Sequence, residues 1–207
     1  MVRAGQWARR LIINDDLDKG TMLPFIAHAK ETGWGVVVMN TNMNTDDKTG
    51  KDIKGSETPE EHANTVWNDV VANSDAKNIV IIAHSYGGVV TMNLARTFPA
   101  DFMTRVRGVF MTDSVHFKLT KDRKVNKKLE EIGKNYVSSD QEVGTPVEKM
   151  FGAKDIPRFS AGHEKHEWTS WSAMKEIFKD MENAGKESVD KEEASKSEDR
   201  EEKKEEL

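Results

Sequence analysis

Apolar positions in this chain gather into short dense runs separated by long polar stretches. The densest run lies in residues 78–88, NIVIIAHSYGG. Five consecutive apolar residues, Ile79 to Ala83, break abruptly into His84-Ser85-Tyr86-Gly87-Gly88. A run of that length predicts a strand buried on both faces of a parallel sheet. The glycine pair permits a tight turn, and residues 89–98 are spaced as a helix. Residues 106–112 (VRGVFMT) predict a second strand of the same kind, and residues 34–40 (WGVVVMN), rich in β-branched side chains, a third.

The helical signals alternate with these runs. Within residues 17–31, Met22, Leu23, Phe25, Ile26, Ala27 and Ala29 predict a helix after Pro24, ended by Gly33. Thr58-Pro59-Glu60-Glu61 has Thr at the N-cap, Pro at the first helical position and Glu three residues after the cap. Ala63, Val66, Trp67, Val70 and Val71 then share one helix face, which makes Trp67 a core residue. Residues 41–57 are almost wholly polar and predict a long surface loop. Residues 129–155 show no strong period, residues 156–161 (IPRFSA) suit a last short strand, and a helix follows to about Met181. Strands alternating with helices imply an α/β fold, a mostly parallel sheet with right-handed crossovers and helices on both faces. Functional residues belong at the C-terminal ends of its strands.

Composition narrows the picture. A net charge of −5 argues against direct nucleic-acid binding. The absence of cysteine excludes disulfides, a thiol nucleophile and thiolate metal sites. No apolar run is long enough for a membrane span, and the N-terminal residues lack an apolar core of the signal-peptide type. Lys118, Lys121, Arg123, Lys124, Lys127 and Lys128 read as a solvated helix face. Sixteen of the 22 residues in 186–207 are charged, a composition that predicts disorder. The expected organisation is therefore one domain over residues 1–183 and a charged tail over 184–207. The tail ends Lys204-Glu205-Glu206-Leu207, one substitution from an endoplasmic-reticulum retention signal.

Strand, sharp turn carrying Ser, and helix is the arrangement of a nucleophile elbow, with Ala83 and Gly87 as the small residues flanking Ser85. The alternative is a tight turn in which Ser85 merely caps the helix. Acyl transfer also needs a base and a group that orients it. Ser85, Asp113 and His166 occur in the chain order Ser, acid, His found in α/β-hydrolases. Asp113 follows a strand end, whereas Asp155 precedes a strand and would sit at the opposite edge. His116 and His163 compete with His166 as base, and His84 is expected to project to another face. A metal set of His163 and His166 with Asp113 or His116 has weak spacing, and neither metal nor cofactor is expected. The Tyr86 backbone N–H would be one oxyanion donor; the second normally follows an earlier strand, and none is clear.

Six segments carry a resemblance: 2–14 (VRAGQWARRLIIN), 59–67 (PEEHANTVW), 83–88 (AHSYGG), 112–116 (TDSVH), 160–171 (SAGHEKHEWTSW) and 205–207 (EEL). In order and over nearly the whole globular part, they resemble the animal cotranscriptional regulators with an Arb-two (Argonaute-binding) domain. The resemblance implies an α/β-hydrolase-like domain with Ser85 at the elbow, and it matches Asp113 and His166, not His163, to family positions. It also implies Argonaute binding, contact with chromatin-remodelling and splicing proteins, and a nuclear and cytoplasmic location. Members are suspected of hydrolase activity without a known substrate. Relatives carry a strand and a His-Gly-type loop before the position of Val2, so the N-terminal strands are expected to be missing here, and the 41–57 loop is shorter than theirs.

Overall fold

The computed structural model describes residues 2–116, 121–148 and 155–186. Of the expected charged tail, residues 187–207, the last four included, lie outside them, whereas residues 184–186 are described and helical. Three helices come first: α1 (Arg9–Asn14), α2 (Leu17–Gly20) and α3 (Leu23–Glu31). Asp16 caps α2 by accepting from Lys19 N–H at 3.0 Å. Pro24 lies in the first turn of α3 and Gly33 follows its end with φ 78°.

Helix α4 (Pro59–Val66) starts at the foreseen N-cap, Thr58 Oγ1 accepting from Glu61 N–H at 3.1 Å. It continues as a π turn, Trp67–Val71. Trp67 is core, as expected: it is 1% exposed, lies 6.0 Å from the Phe98 ring, and donates from Nε1 to Asp101 Oδ2 at 2.8 Å. Then come β1 (Ile79–His84), α5 (Gly87–Thr97), α6 (Pro99–Arg105), β2 (Val106–Thr112), α7 (Arg123–Ile132), β3 (Gly133–Val137), β4 (Arg158–Ser160), a 3-10 turn (His166–Trp168), α8 (Thr169–Ser172) and α9 (174–186). Lys121, Arg123, Lys124 and Lys127 are exposed along the α7 region, as foreseen, whereas Lys128 is partly buried and donates from Nζ to Met103 O; Lys118 lies outside the described residues.

The fold is α/β. One parallel sheet runs in the order β1-β2-β3-β4, each strand pairing with the next in sequence. Strand residues alternate between two apolar layers. Ala83, Val109 and Met111 face Ala63, Trp67, Val90, Leu94 and Leu129 from α4, its π turn, α5 and α7. Val80, Ile82, Phe110 and Tyr136 face Phe25 of α3 and Ile177 and Met181 of α9. Helices thus cover both faces, and the ends of β1 and β2 lie side by side, with His84 in register with Thr112.

Two sequence expectations need correction. Residues 34–40 form no strand. Their apolar run is strand-like, but a strand exists only through a ladder partner, and none of the described residues pairs with them. Val36, Val37 and Val38 are instead 43%, 53% and 36% exposed. Conversely β3 lies in the stretch without period. Its sequence GKNYV places Lys134 and Asn135 where a buried strand is normally apolar. Asn135 is tolerated at 3% exposure because its Oδ1 accepts from Ser114 N–H at 3.1 Å.

Candidate functional site

The turn after β1 is built by small residues and strain. Ser85 has φ 54°, a left-handed backbone that non-glycine residues rarely adopt. It is held there by three bonds: Ser85 N–H donates to Thr112 O at 3.0 Å, and Ser85 O accepts from Gly88 N–H at 3.1 Å and Val115 N–H at 3.3 Å. A Cβ on Gly87 would already touch Ala83 Cβ at 3.3 Å, so the flanking positions are small because the turn folds them together. A Cβ on Gly88 would fall 1.7 Å from Ser114 Oγ. The chain after β2 crosses the elbow that closely.

Asp113, the residue after β2, also has positive φ, 43°. The structure brings it to His166: Asp113 Oδ2 lies 2.7 Å from His166 Nδ1. Ser138, just beyond β3, donates to the same carboxylate from N–H and Oγ, both at 3.1 Å. Burial pushes the Asp113 carboxyl up, but these three hydrogen bonds more than offset it and hold it below the ordinary value. Ser85 and His166 are not hydrogen-bonded to each other; both open onto one groove. Tyr86, whose N–H is the expected oxyanion donor, sits at the entry of α5 on the same groove, its hydroxyl donating to Glu60 at 2.7 Å. Among the described residues no strand precedes β1, so no strand-end loop supplies a second donor there.

The competing histidines go elsewhere. His116 Nδ1 lies 2.6 Å from Ser114 Oγ and its Nε2 3.1 Å from Asp155 Oδ1. Asp155, set aside as the acid, is therefore the partner of a different imidazole. His163 Nδ1 accepts from Lys165 N–H at 3.0 Å, and its ring stacks on Trp168 at 4.9 Å. Among the described residues, no group of three or more His, Asp or Glu converges on a metal position. No described helix is long and apolar enough to cross a membrane.

His84 corrects the expectation that it points away from the site. Its ring lies 4.6 Å from that of His166. Its Nδ1 is 3.1 Å from Thr112 O and 3.0 Å from Thr112 Oγ1, which in turn meets Ser170 Oγ at 2.7 Å. A bond to a carbonyl requires the proton on Nδ1. Burial, with the His166 imidazole beside it, drives the His84 pKa down to about 4, so the ring is neutral at pH 7. It faces His166 because β1 turns residue 84 towards the α9 layer, where the 3-10 turn arrives. The adjacency of His84 to Ser85 was visible in the sequence. The crossing of the distant 160–170 segment was not.

Comparison with known proteins identifies the family. The chain matches the Arb2 domain over residues 1–143. It belongs to the Arb2 domain family. It is 36% identical to Cotranscriptional regulator ARB2A of Mus musculus and 35% identical to Cotranscriptional regulator ARB2A of Homo sapiens, each match covering 86% of this chain and 55% of the relative. A FAM172 family protein homolog of Caenorhabditis elegans is 40% identical over 86% of this chain and 56% of its own length. The chain thus spans about half the length of the curated relatives it matches. No solved structure matches.

Proposed function

We propose that this Arb2 domain acts as a nuclear cotranscriptional and splicing regulator through protein–protein contacts, with Argonaute and chromatin-remodelling proteins as the partners. The observation that carries this reading is the similarity, over 86% of the chain, to proteins named cotranscriptional regulators. The exposed apolar surface at Val36, Val37 and Val38 is of the kind that marks interaction sites. Affinity capture of the tagged chain from nuclear extract tests it. Argonaute is expected in the captured material, and its absence from repeated captures overturns the assignment of that partner.

A second reading rests on a separate observation: a left-handed Ser85 at the elbow, opening onto the same groove as an Asp113–His166 pair. It supports a serine hydrolase of esterase type, with Ser85 as nucleophile, His166 as base, Asp113 orienting it, and Tyr86 N–H as one oxyanion donor. Rapid turnover would need a second donor beside Tyr86 N–H, since removing one donor typically costs about a hundred- to a thousandfold in rate. A fluorophosphonate probe tests this reading: it labels the wild type and fails on Ser85→Ala. Equal labelling of the two, or none of either, sinks it.

A further inference from the structure

His166 hangs from one hydrogen bond. Its Nδ1 meets Asp113 Oδ2 at 2.7 Å, and its side chain is 45% exposed. A single bond at Nδ1 leaves the imidazole free to swing about the N–H···O axis, and a contact on the ring face stops that motion. The ring that lies against it is His84, with 4.6 Å between centroids and 37° between planes. His84 is itself anchored. The proton on its Nδ1 is shared between Thr112 O and Thr112 Oγ1, and that hydroxyl meets Ser170 Oγ at 2.7 Å. Ser170 is 1% exposed and stands in α8, four residues after His166. The network therefore closes on itself. The end of β1 is bonded to the end of β2, β2 to α8, and α8 continues from the turn whose imidazole lies on His84.

We infer that His84 is a positioning residue for His166: its ring fixes the plane of the His166 imidazole, so that Nδ1 stays on Asp113 and Nε2 keeps one direction. The residue type follows from three requirements. The wall must be flat, which a ring supplies. It must be held in its plane, which needs a donor where Nδ1 stands. It must also be uncharged, because an imidazolium there would repel the one that His166 becomes on taking a proton. Burial, with the His166 imidazole beside it, meets the last requirement by driving the His84 pKa down to about 4. An aliphatic side chain would pack against His166 but could not bond to Thr112. In the serine-hydrolase reading Nε2 is the atom that takes the Ser85 proton, and the role rests on that reading for its chemistry; the ring contact does not.

Proton NMR of the full chain in water tests the role without turnover. Charge-assisted bonds such as His166–Asp113 are short and strong, and a proton held in one resonates far downfield and exchanges slowly. One such resonance is expected in the wild type, assigned to His166 Nδ1–H by its absence from His166→Gln. His84→Ala and His84→Asn are each expected to speed its exchange with water at least about tenfold. His84→Phe keeps the ring face and is expected to recover most of the protection. A merely structural role gives the reverse order, since Asn retains a donor for Thr112 and Phe does not. If the variants fail to fold, the wild type still decides: the carbon-bound ring protons of His84 and His166 are expected to show a mutual NOE. A wild type without the resonance or the NOE, unchanged exchange in the Ala and Asn variants, or better protection in Asn than in Phe overturns the inference. A chain that meets these expectations yet takes no fluorophosphonate loses the hydrolase reading and keeps the positioned imidazole. A chain labelled at Ser85 whose exchange is indifferent to residue 84 keeps the hydrolase reading and loses this role for His84.

Discussion

His166 Nδ1 and Asp113 Oδ2 lie 2.7 Å apart although 53 residues separate them in the chain. The contact joins the loop after β2 to the 3-10 turn after β4, and Ser138 adds the end of β3 to the same carboxylate. Three strand ends are thereby tied at one point beside Ser85. This is a structural tie whatever chemistry Ser85 performs.

Asp113→Asn tests the tie. Hydrogen bonds to a charged group contribute roughly 1.5–3 kcal/mol, and Asn keeps the shape but loses the charge. A loss of about 2 kcal/mol is expected at pH 7 in urea unfolding. The Asp113 carboxyl is held below its ordinary value in the folded state. Its contribution is therefore complete above the unfolded value near 3.9 and is lost as pH falls through the folded value. The gap between wild type and variant should stay constant from neutral pH to about 4.5 and narrow below that. A gap independent of pH down to 3 contradicts the charged tie.

His84 carries the opposite protonation logic. Its folded pKa is about 4, against about 6.5 for an unperturbed histidine. Above pH 6.5 both states are neutral and nothing is linked. Below it the unfolded chain takes up a proton that the folded chain refuses, so stability falls between pH 6.5 and about 4, at up to about 1.4 kcal/mol per pH unit. In His84→Gln that slope should be missing, whatever the variant's stability at pH 7. Parallel stability curves for the two proteins over this window refute the assignment.

Ser85 stores backbone strain. A left-handed conformation costs a side-chain-bearing residue roughly 1–2 kcal/mol, and glycine none. Part of the gain is returned through the greater unfolded-state freedom of glycine. Ser85→Gly is expected to raise stability by about 1 kcal/mol while Ser85→Ala changes it little. Chemical denaturation of the three proteins settles the order, and a destabilised glycine variant means that Ser85 is not strained.

What was legible in the sequence follows from how local each signal is. β1, the elbow and α5 came from a contiguous apolar run followed by glycine, and the N-cap at Thr58 from four adjacent residues. β3 was hidden because Asn135 bonds to the loop after β2, a partner no local pattern reveals. The 34–40 run misled for the same reason in reverse: its composition is strand-like, but strand formation depends on a neighbour, and the described residues supply none. At the site, Ser85 and Asp113 were marked by their places at strand ends. The choice among His116, His163 and His166 depended on where a long return crosses the sheet.

Gly88 and Ser114 provide the sharpest packing test. A Cβ at position 88 would lie 1.7 Å from Ser114 Oγ and 2.7 Å from Ser114 Cβ. Ser114 cannot swing aside freely, since its N–H is bonded to Asn135 Oδ1 and its Oγ to His116 Nδ1. Alanine is a better helix former than glycine by about 1 kcal/mol, so helix propensity alone favours Gly88→Ala. The clash is expected to win, with a net loss of about 2 kcal/mol, within the range of overpacked interiors. Ser114→Ala should not relieve it, because the Cβ contact remains. Ser114→Gly should, leaving the double variant Gly88→Ala/Ser114→Gly more stable than the sum of the single changes allows, by at least about 1 kcal/mol. Simple additivity in that cycle would show that the loop after β2 does not cross the elbow at this distance.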